Sequence, residues 1–278
     1  MIKYENYSIV IITYKPSNSL YDLINMIYTK QDFNIFVVDS SPELEFSEMK
    51  GRIDAITSND VKKTNLRCFH INNKGAAYSI NYGIEKCIEY GKDLFTIMDD
   101  DTSIIPQNFN RNEIVDYFNT HLDLERDILI LADGEQRENI DSWVESGITL
   151  SKQLFHKIKF REEFIMDQID IEFCKLVKRA NGKIEIFPKK ILFNKPVGSD
   201  SVRGTNILPY WRIYTLMRNV IVMWKEKKIS SRDVSFDILL FVKALIFGKK
   251  KLMYLNAFLN GIIDGVNLNQ SFEIVYIF

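Results

Sequence analysis

Three consecutive carboxylates, Asp99, Asp100 and Asp101, followed by Thr102, stand directly after the apolar run Leu94-Phe95-Thr96-Ile97-Met98. Adjacent acids repel one another, and their charge at the end of a buried strand calls for a counter-charge. A divalent cation carrying a phosphate is the natural partner, because hard cations take carboxylate oxygens and bridge to phosphate oxygens. The competing account is a solvated acidic turn. A second acidic group, Asp167, Asp170 and Glu172, lies in Phe164-Ile165-Met166-Asp167-Gln168-Ile169-Asp170-Ile171-Glu172-Phe173-Cys174. Asp167 and Asp170, three apart at the start of a helix, are close enough to one face to converge. Acids in a first helical turn also suit the helix dipole and can close a capping box, so ordinary capping stays open. A third group, Asn73-Lys74-Gly75, precedes Ala76-Ala77. Backbone amides at a helix start beside a lysine make an anion site, or Asn73 is simply an N-cap. Asp39 ends another apolar run, as a site residue or as a turn residue.

These groups need a frame. Ser8-Ile9-Val10-Ile11-Ile12-Thr13-Tyr14 is a near-continuous apolar strand of the kind covered on both faces. Leu20, Leu23, Ile24, Ile27 and Tyr28 form a helical stripe, with Ser19 and Asp22 placed to cap it. Asn34 to Asp39 is a second strand, so the first 42 residues read strand, helix, strand. Residues 43 to 64 are polar and poorly periodic, which predicts a loop with a short helix. Leu66 to Ile71 is a third strand, and Ala76, Ile80, Ile84 and Ile88 mark a helix that Gly91 can end. Ligands in open α/β sheets bind outside the carboxyl ends of strands, where Asp99 to Asp101 would sit.

Farther along, a helix is predicted over Glu113 to Leu122 and strands over Asp127 to Ala132 and Glu145 to Ser151. Phe173, Leu176, Val177 and Ala180 give a helical stripe, and Lys183 to Pro188 a short strand. Ser199 to Thr205 reads as a mobile Gly/Ser-rich loop. From Pro209 the character turns helical, with Arg212 and Arg218 among crowded apolar residues. Phe236 to Phe247 is mostly apolar and Gly248-Lys249-Lys250-Lys251 follows it. That stretch is too short to span a bilayer, but beside a basic cluster it suits either the surface of an anionic membrane or packing on the main domain.

With 36 basic and 37 acidic residues the net charge is −1, which argues against a nucleic-acid binder working by bulk electrostatics. Three widely spaced cysteines, Cys68, Cys87 and Cys174, show neither metal spacing nor a disulfide framework. The N-terminal residues lack a signal-peptide layout, and no apolar run approaches the ~20 residues that cross a bilayer. These features predict a cytoplasmic protein.

Several of these residues together resemble the GT-A glycosyltransferases of family two, in particular the rhamnosyltransferase-like and galactofuranosyltransferase-like branch. Ile11-Ile12-Thr13-Tyr14 resembles the strand whose end meets the nucleotide base, and Val37-Val38-Asp39-Ser40-Ser41 the element whose acid reaches the base or ribose. Asn73-Lys74-Gly75-Ala76-Ala77 is similar to the family's "N-x-G-x-A" helix start, and Asp99-Asp100-Asp101-Thr102 to its DXD metal site. Ser146-Gly147 with Ser151 is similar to the acceptor-side strand. Ile165 to Cys174 resembles "F-I-D-x-V-D-x-E-F-C", which places the catalytic base at Asp170. Tyr210 to Asn219 resembles "RRYYxxRN", and Gly261 to Gly265 "GIxDG".

The resemblance implies an α/β GT-A fold, a Rossmann-like mixed sheet over residues 1–205, with a C-terminal helical segment over 206–278 for membrane or acceptor association. It implies an inverting transfer from a UDP- or dTDP-linked sugar to a glycan hydroxyl, with a lipid-linked acceptor at the inner membrane face among the options. Thr13, Tyr14, Asp39, Asn73, Lys74, Gly75 and Asp100 would bind the nucleotide sugar, Asp99 and Asp101 the cation, and Asp170, Asp167 and Glu172 would serve catalysis. Asn194 stands where many relatives place a metal-binding histidine. An amide is a weaker ligand for a transition metal, so both Mg²⁺ and Mn²⁺ are open. Three alternatives remain: a haloacid-dehalogenase-like phosphatase, a nucleotidyltransferase, and a catalytically silent partner subunit.

Overall fold

A computed structural model describes residues 1–28, 33–57, 65–131, 146–193, 200–202 and 205–268. Asn194 and residues 58–64 and 269–278 lie outside that set. The chain divides into two compact units, one of Met1–Glu163 with Phe173–Lys195, the other of Phe164–Glu172 with Pro196–Phe278.

The first unit is built on seven strands: β1 Tyr7–Thr13, β2 Asn34–Asp39, β3 Asn65–His70, β4 Leu94–Asp99, β6 Ile128–Ile130, β7 Ile148–Ser151 and β8 Ile184–Ile186. They pair in the order β3-β2-β1-β4-β7-β6-β8. The first four are parallel, and β7 runs antiparallel to both β4 and β6, so the sheet is mixed. The apolar runs predict this arrangement, since β1, β2 and β4 are almost wholly buried. Buried polar groups inside the sheet find one another: Tyr7, Thr96 and Thr149 form a hydroxyl chain across β1, β4 and β7, each link 2.6 Å. A small pair, β5 Ser103–Ile104 with β9 Leu192–Phe193, lies outside the main sheet.

The helices of this unit are α1 Asn18–Tyr28, α2 Glu43–Thr57, α3 Ala76–Glu89, α4 Arg111–His121, α5 Lys152–Lys157 and the larger part of α6 Ile169–Arg179. Two expectations need correction. The stretch from residue 43 holds a 15-residue helix rather than a loop with a short one. Among the described side chains of α2 only Met49 and Ile53 are buried, so its periodicity is faint in sequence. Helix α1 begins one residue earlier than its expected cap, and the Ser17 hydroxyl accepts from the Ser19 amide.

The second unit holds α7 Tyr210–Lys225, α8 Ser231–Phe247 and α9 Lys251–Asn267, with the hairpin β10 Asp200–Val202 and β11 Thr205–Ile207. Within the expected loop at 199–205, residues 200–202 and 205 are paired strand, and 199, 203 and 204 lie outside the described residues. Gly261 and Gly265 let α9 lie against α7: a Cβ there would stand 2.7 Å from the carbonyl oxygens of Tyr214 and Arg218. Between these two glycines Asp264 accepts from the Tyr214 hydroxyl at 2.6 Å. Ile213, Met217, Phe241, Ala244 and Tyr254 form the local core, where Phe241 stacks on Phe258. Ser230 and Asp233 close a capping box on α8. Among the described residues no helix is long and apolar enough to cross a membrane.

Candidate active site

The register sets the carboxyl ends of the parallel strands side by side. Thr13 pairs with Asp39, Asp39 with His70, and Ile12 with Asp99. Because β1 has β2 on one side and β4 on the other, the chain reverses its winding there, which is where open α/β sheets leave a crevice for ligands.

Asp39 is fully buried, and its Oδ1 accepts from the Ser41 hydroxyl at 2.5 Å and the Ser41 amide at 3.0 Å. Its Oδ2 has no hydrogen-bond partner among the described residues. Burial pushes this carboxyl above the ordinary aspartate range, while Ser41 and His70 pull it back. Ser41 also accepts from the Lys15 amide at 2.6 Å, and its carbonyl lies 2.7 Å from His70 Nε2. His70 Nδ1 lies 2.8 Å from Glu43. Neither Ser41 nor His70 stood out as a supporting residue in the sequence, although Ser41 follows the strand-end acid by two positions as Asx turns require.

Asp100 turns to Thr13, whose hydroxyl donates to Oδ2 at 2.5 Å. Burial raises this carboxyl, Thr13 lowers it, and Asp101 and Asp39 raise it further. Asp99 is half-buried and Asp101 exposed. The Ser146 hydroxyl accepts from the Asp99 amide at 3.2 Å and meets the Thr102 hydroxyl at 2.8 Å, which ties the acidic turn to the residue before Gly147. Among the described residues no three His, Cys, Asp or Glu side chains are grouped as a metal shell.

At the start of α3 the structure corrects one expectation. Gly75, at φ 101°, is the N-cap, and its amide donates to Asn73 Oδ1 at 3.2 Å, so that amide is not free. Lys74 is exposed with Nζ 4.7 Å from the Tyr78 ring centroid. Tyr14 is exposed, with Lys15 Nζ 5.3 Å from its ring.

The second acidic group also differs from its sequence reading. Helix α6 starts at Ile169, after Asp167 and Gln168, both left-handed at φ 58° and 63°. Asp167 therefore lies outside the helix and shares no helical face with Asp170. Its Oδ1 accepts from Arg212 Nη2 at 2.5 Å and Nε at 3.1 Å, and its Oδ2 from Thr215 at 2.6 Å. Asp170 stands in the first turn, half-buried. Glu172 is 1% exposed and pairs with Lys228 at 2.5 Å, and its Oε2 has no partner among the described residues.

The sheet order, with its acidic strand ends, makes this a GT-A-like fold built on a Rossmann-like mixed sheet. The chain is similar to the mannosyltransferase PcManGT from Pyrobaculum calidifontis, solved in complex with GDP-Man and Mn2+, with a TM-score of 0.56 and 12% identity. The match covers 96% of this chain and 76% of that one, and at such identity it establishes the fold alone. The nucleoside-diphosphate-sugar pyrophosphorylase from Vibrio cholerae RC9 aligns at a TM-score of 0.36 and 11% identity, over 64% of this chain and 91% of that one, too distant to carry an argument. No family model matches the chain, and no curated protein matches it.

Proposed function

We propose that this chain is an inverting glycosyltransferase that moves a sugar from a nucleoside-diphosphate sugar to a hydroxyl of a growing cell-surface polysaccharide. One observation carries the reading: the carboxyl ends of β2 and β4, on either side of β1, present Asp39, with a buried oxygen unpartnered among the described residues, and the acids Asp99 to Asp101. A buried carboxylate oxygen without a donor is costly, and an N–H of a base or an O–H of a ribose would satisfy it. Asp99 and Asp101 offer hard oxygen donors, with further positions left to phosphate and water, which fits Mg²⁺ or Mn²⁺. Such a cation would neutralise charge on the departing diphosphate. The complex of the mannosyltransferase neighbour with GDP-Man and Mn2+ supports a nucleotide sugar and a divalent cation here. The motif order supports the rhamnosyltransferase-like and galactofuranosyltransferase-like branch of family two, with rhamnose, galactofuranose or a hexose donated.

In this reading Thr13, Tyr14 and Asp39 hold the nucleoside, Lys74 lies toward the diphosphate, and Asp100 braces the acidic turn through Thr13. Asp170 takes the acceptor proton as the hydroxyl attacks the anomeric carbon, and the bond to the diphosphate breaks on the opposite face. Asp167 and Glu172 each face a cation, so their charge is compensated and they serve to orient rather than to raise the basicity of Asp170.

We place the protein at the inner face of an anionic membrane through α8 and α9. Ile238, Leu239, Val242 and Ile246 of α8, and Leu252, Leu255, Leu259, Ile263 and Val266 of α9, are exposed at helical spacing. Lys249 and Lys250 between the two helices and Lys251 at the start of α9 are also exposed. A lipid-linked acceptor would be met there. Co-sedimentation with phosphatidylglycerol vesicles, lost in Leu239→Asp/Leu252→Asp, checks this part.

The test of the activity is thermal stabilisation by UDP, dTDP and GDP, each with and without Mg²⁺ or Mn²⁺. Stabilisation by one nucleotide and only with cation supports the reading, because a ligand of the native state must raise Tm. No stabilisation by any of them would overturn it.

A further inference from the structure

Two adjacent non-glycine residues in the left-handed region, Asp167 and Gln168, immediately precede the helix that carries Asp170. Side chains with a Cβ resist that conformation, and it persists only where surrounding groups over-determine it. Here the surrounding groups are visible. Asn219, fully buried on α7, donates its amide to two successive carbonyls, Met166 at 2.7 Å and Asp167 at 2.9 Å. Thr215 and Arg212, one and two turns earlier on the same helix face, take the two oxygens of the Asp167 carboxylate. Gln168 then gives its carbonyl to the Glu172 amide at 2.9 Å, as a first acceptor of α6. Lys228 holds Glu172 in the first turn.

We infer that Asn219 and Thr215, with Arg212, are positioning residues: α7 clamps the Asp167–Gln168 turn in its left-handed form and so fixes the carboxylate of Asp170. The inference rests on the assignment of Asp170 as the base. Asp167 and Gln168 lead directly into α6, so relaxing either residue to φ < 0 would redirect the chain as it enters the helix that carries Asp170.

The test uses the full chain and the variants Asn219→Ala, Gln168→Gly, their combination and Asp170→Asn. Two readouts are taken: the NMR titration of the Asp170 carboxyl, and nucleoside diphosphate released from UDP-glucose, UDP-galactofuranose, dTDP-rhamnose and GDP-mannose. Asn219→Ala is expected to move the Asp170 titration and to lower turnover about 10- to 100-fold, with KM for the donor held within about twofold. Glycine takes φ > 0 without penalty, so Gln168→Gly alone leaves both readouts near wild type, and the double variant recovers most of the loss. A wild-type titration and turnover in Asn219→Ala, or a folded double variant with no recovery, overturns the inference. Should Asn219→Ala not fold, Thr215→Val carries the same expectation, with Thr215→Ser restoring both readouts. Unimpaired release by Asp170→Asn would remove the base assignment, and the titrations in the other variants would still decide whether α7 sets this turn.

Discussion

Thr13 and Asp100 meet across the ends of β1 and β4, the threonine hydroxyl donating to the carboxylate at 2.5 Å. Burial, Asp101 and Asp39 all favour the protonated acid, and this hydrogen bond opposes them. Thr13→Val, nearly the same shape, leaves Asp100 without that donor. A carboxyl raised above its unfolded value destabilises the fold as pH rises, so the loss, about 1–3 kcal/mol, is expected to be larger at pH 8 than at pH 5. Urea unfolding at the two pH values measures it, and a pH-independent difference would count against the coupling.

Asp39→Asn tests the nucleoside contact. The amide oxygen can still accept from Ser41, so the fold is kept, while an NH2 replaces the unpartnered Oδ2 and faces the ligand's donor. Nucleoside diphosphate affinity is expected to fall about 10- to 100-fold, or roughly 1.4–2.8 kcal/mol. Titration calorimetry with UDP and dTDP would show no change if the contact were absent.

Removal of divalent ions by EDTA is expected to abolish nucleotide-induced stabilisation, and Mg²⁺ or Mn²⁺ to restore it. Asp101→Asn should raise the cation concentration needed for half-restoration by about tenfold or more, since it removes a charged oxygen donor. Unchanged stabilisation in EDTA would show that nucleotide binding needs no cation.

Asp237, on α8, is 7% exposed, and burial together with Asp233 and Asp167 pushes its carboxyl up to about 7. The unfolded chain loses this proton near pH 4 while the folded chain keeps it to about 7. Stability is therefore lost as pH rises between these values. Asp237→Asn removes that loss. At pH 8 the variant is expected to melt above wild type by roughly 8–16 °C, on the order of 4 kcal/mol, and the gap should close toward pH 4. Calorimetry across that range checks the slope.

Lys228→Met leaves Glu172 charged and buried, and is expected to cost about 3–5 kcal/mol. Glu172→Leu/Lys228→Met removes both charges and should recover most of this. A double variant no more stable than Lys228→Met would indicate that the pair acts through packing alone.

Much of the first unit was legible from residue order. Continuous apolar runs mark buried parallel strands, and each ends in a polar residue where the chain turns out of the sheet, so Thr13, Asp39 and Asp99 could be placed at strand ends before any coordinates, although Asp39 itself stays buried. Helix α2 was hidden because it buries few residues along its length and its periodicity is weak. The free amide expected of Gly75 failed because a neighbouring side chain, Asn73, competes for it, a choice of rotamer that spacing does not encode.

What the sequence by itself determined was the sheet, its acidic carboxyl ends and the helical character of the C-terminal third. Tertiary structure alone decided how the second acidic group is arranged. Asp167 and Gln168 carry no glycine to announce a left-handed turn, and the residues that hold it, Arg212, Thr215 and Asn219, lie 45 to 53 positions away. Local propensity favours relaxed backbone at both positions. The turn exists because distant hydrogen bonds outweigh that preference, and such bonds form only once α7 has packed.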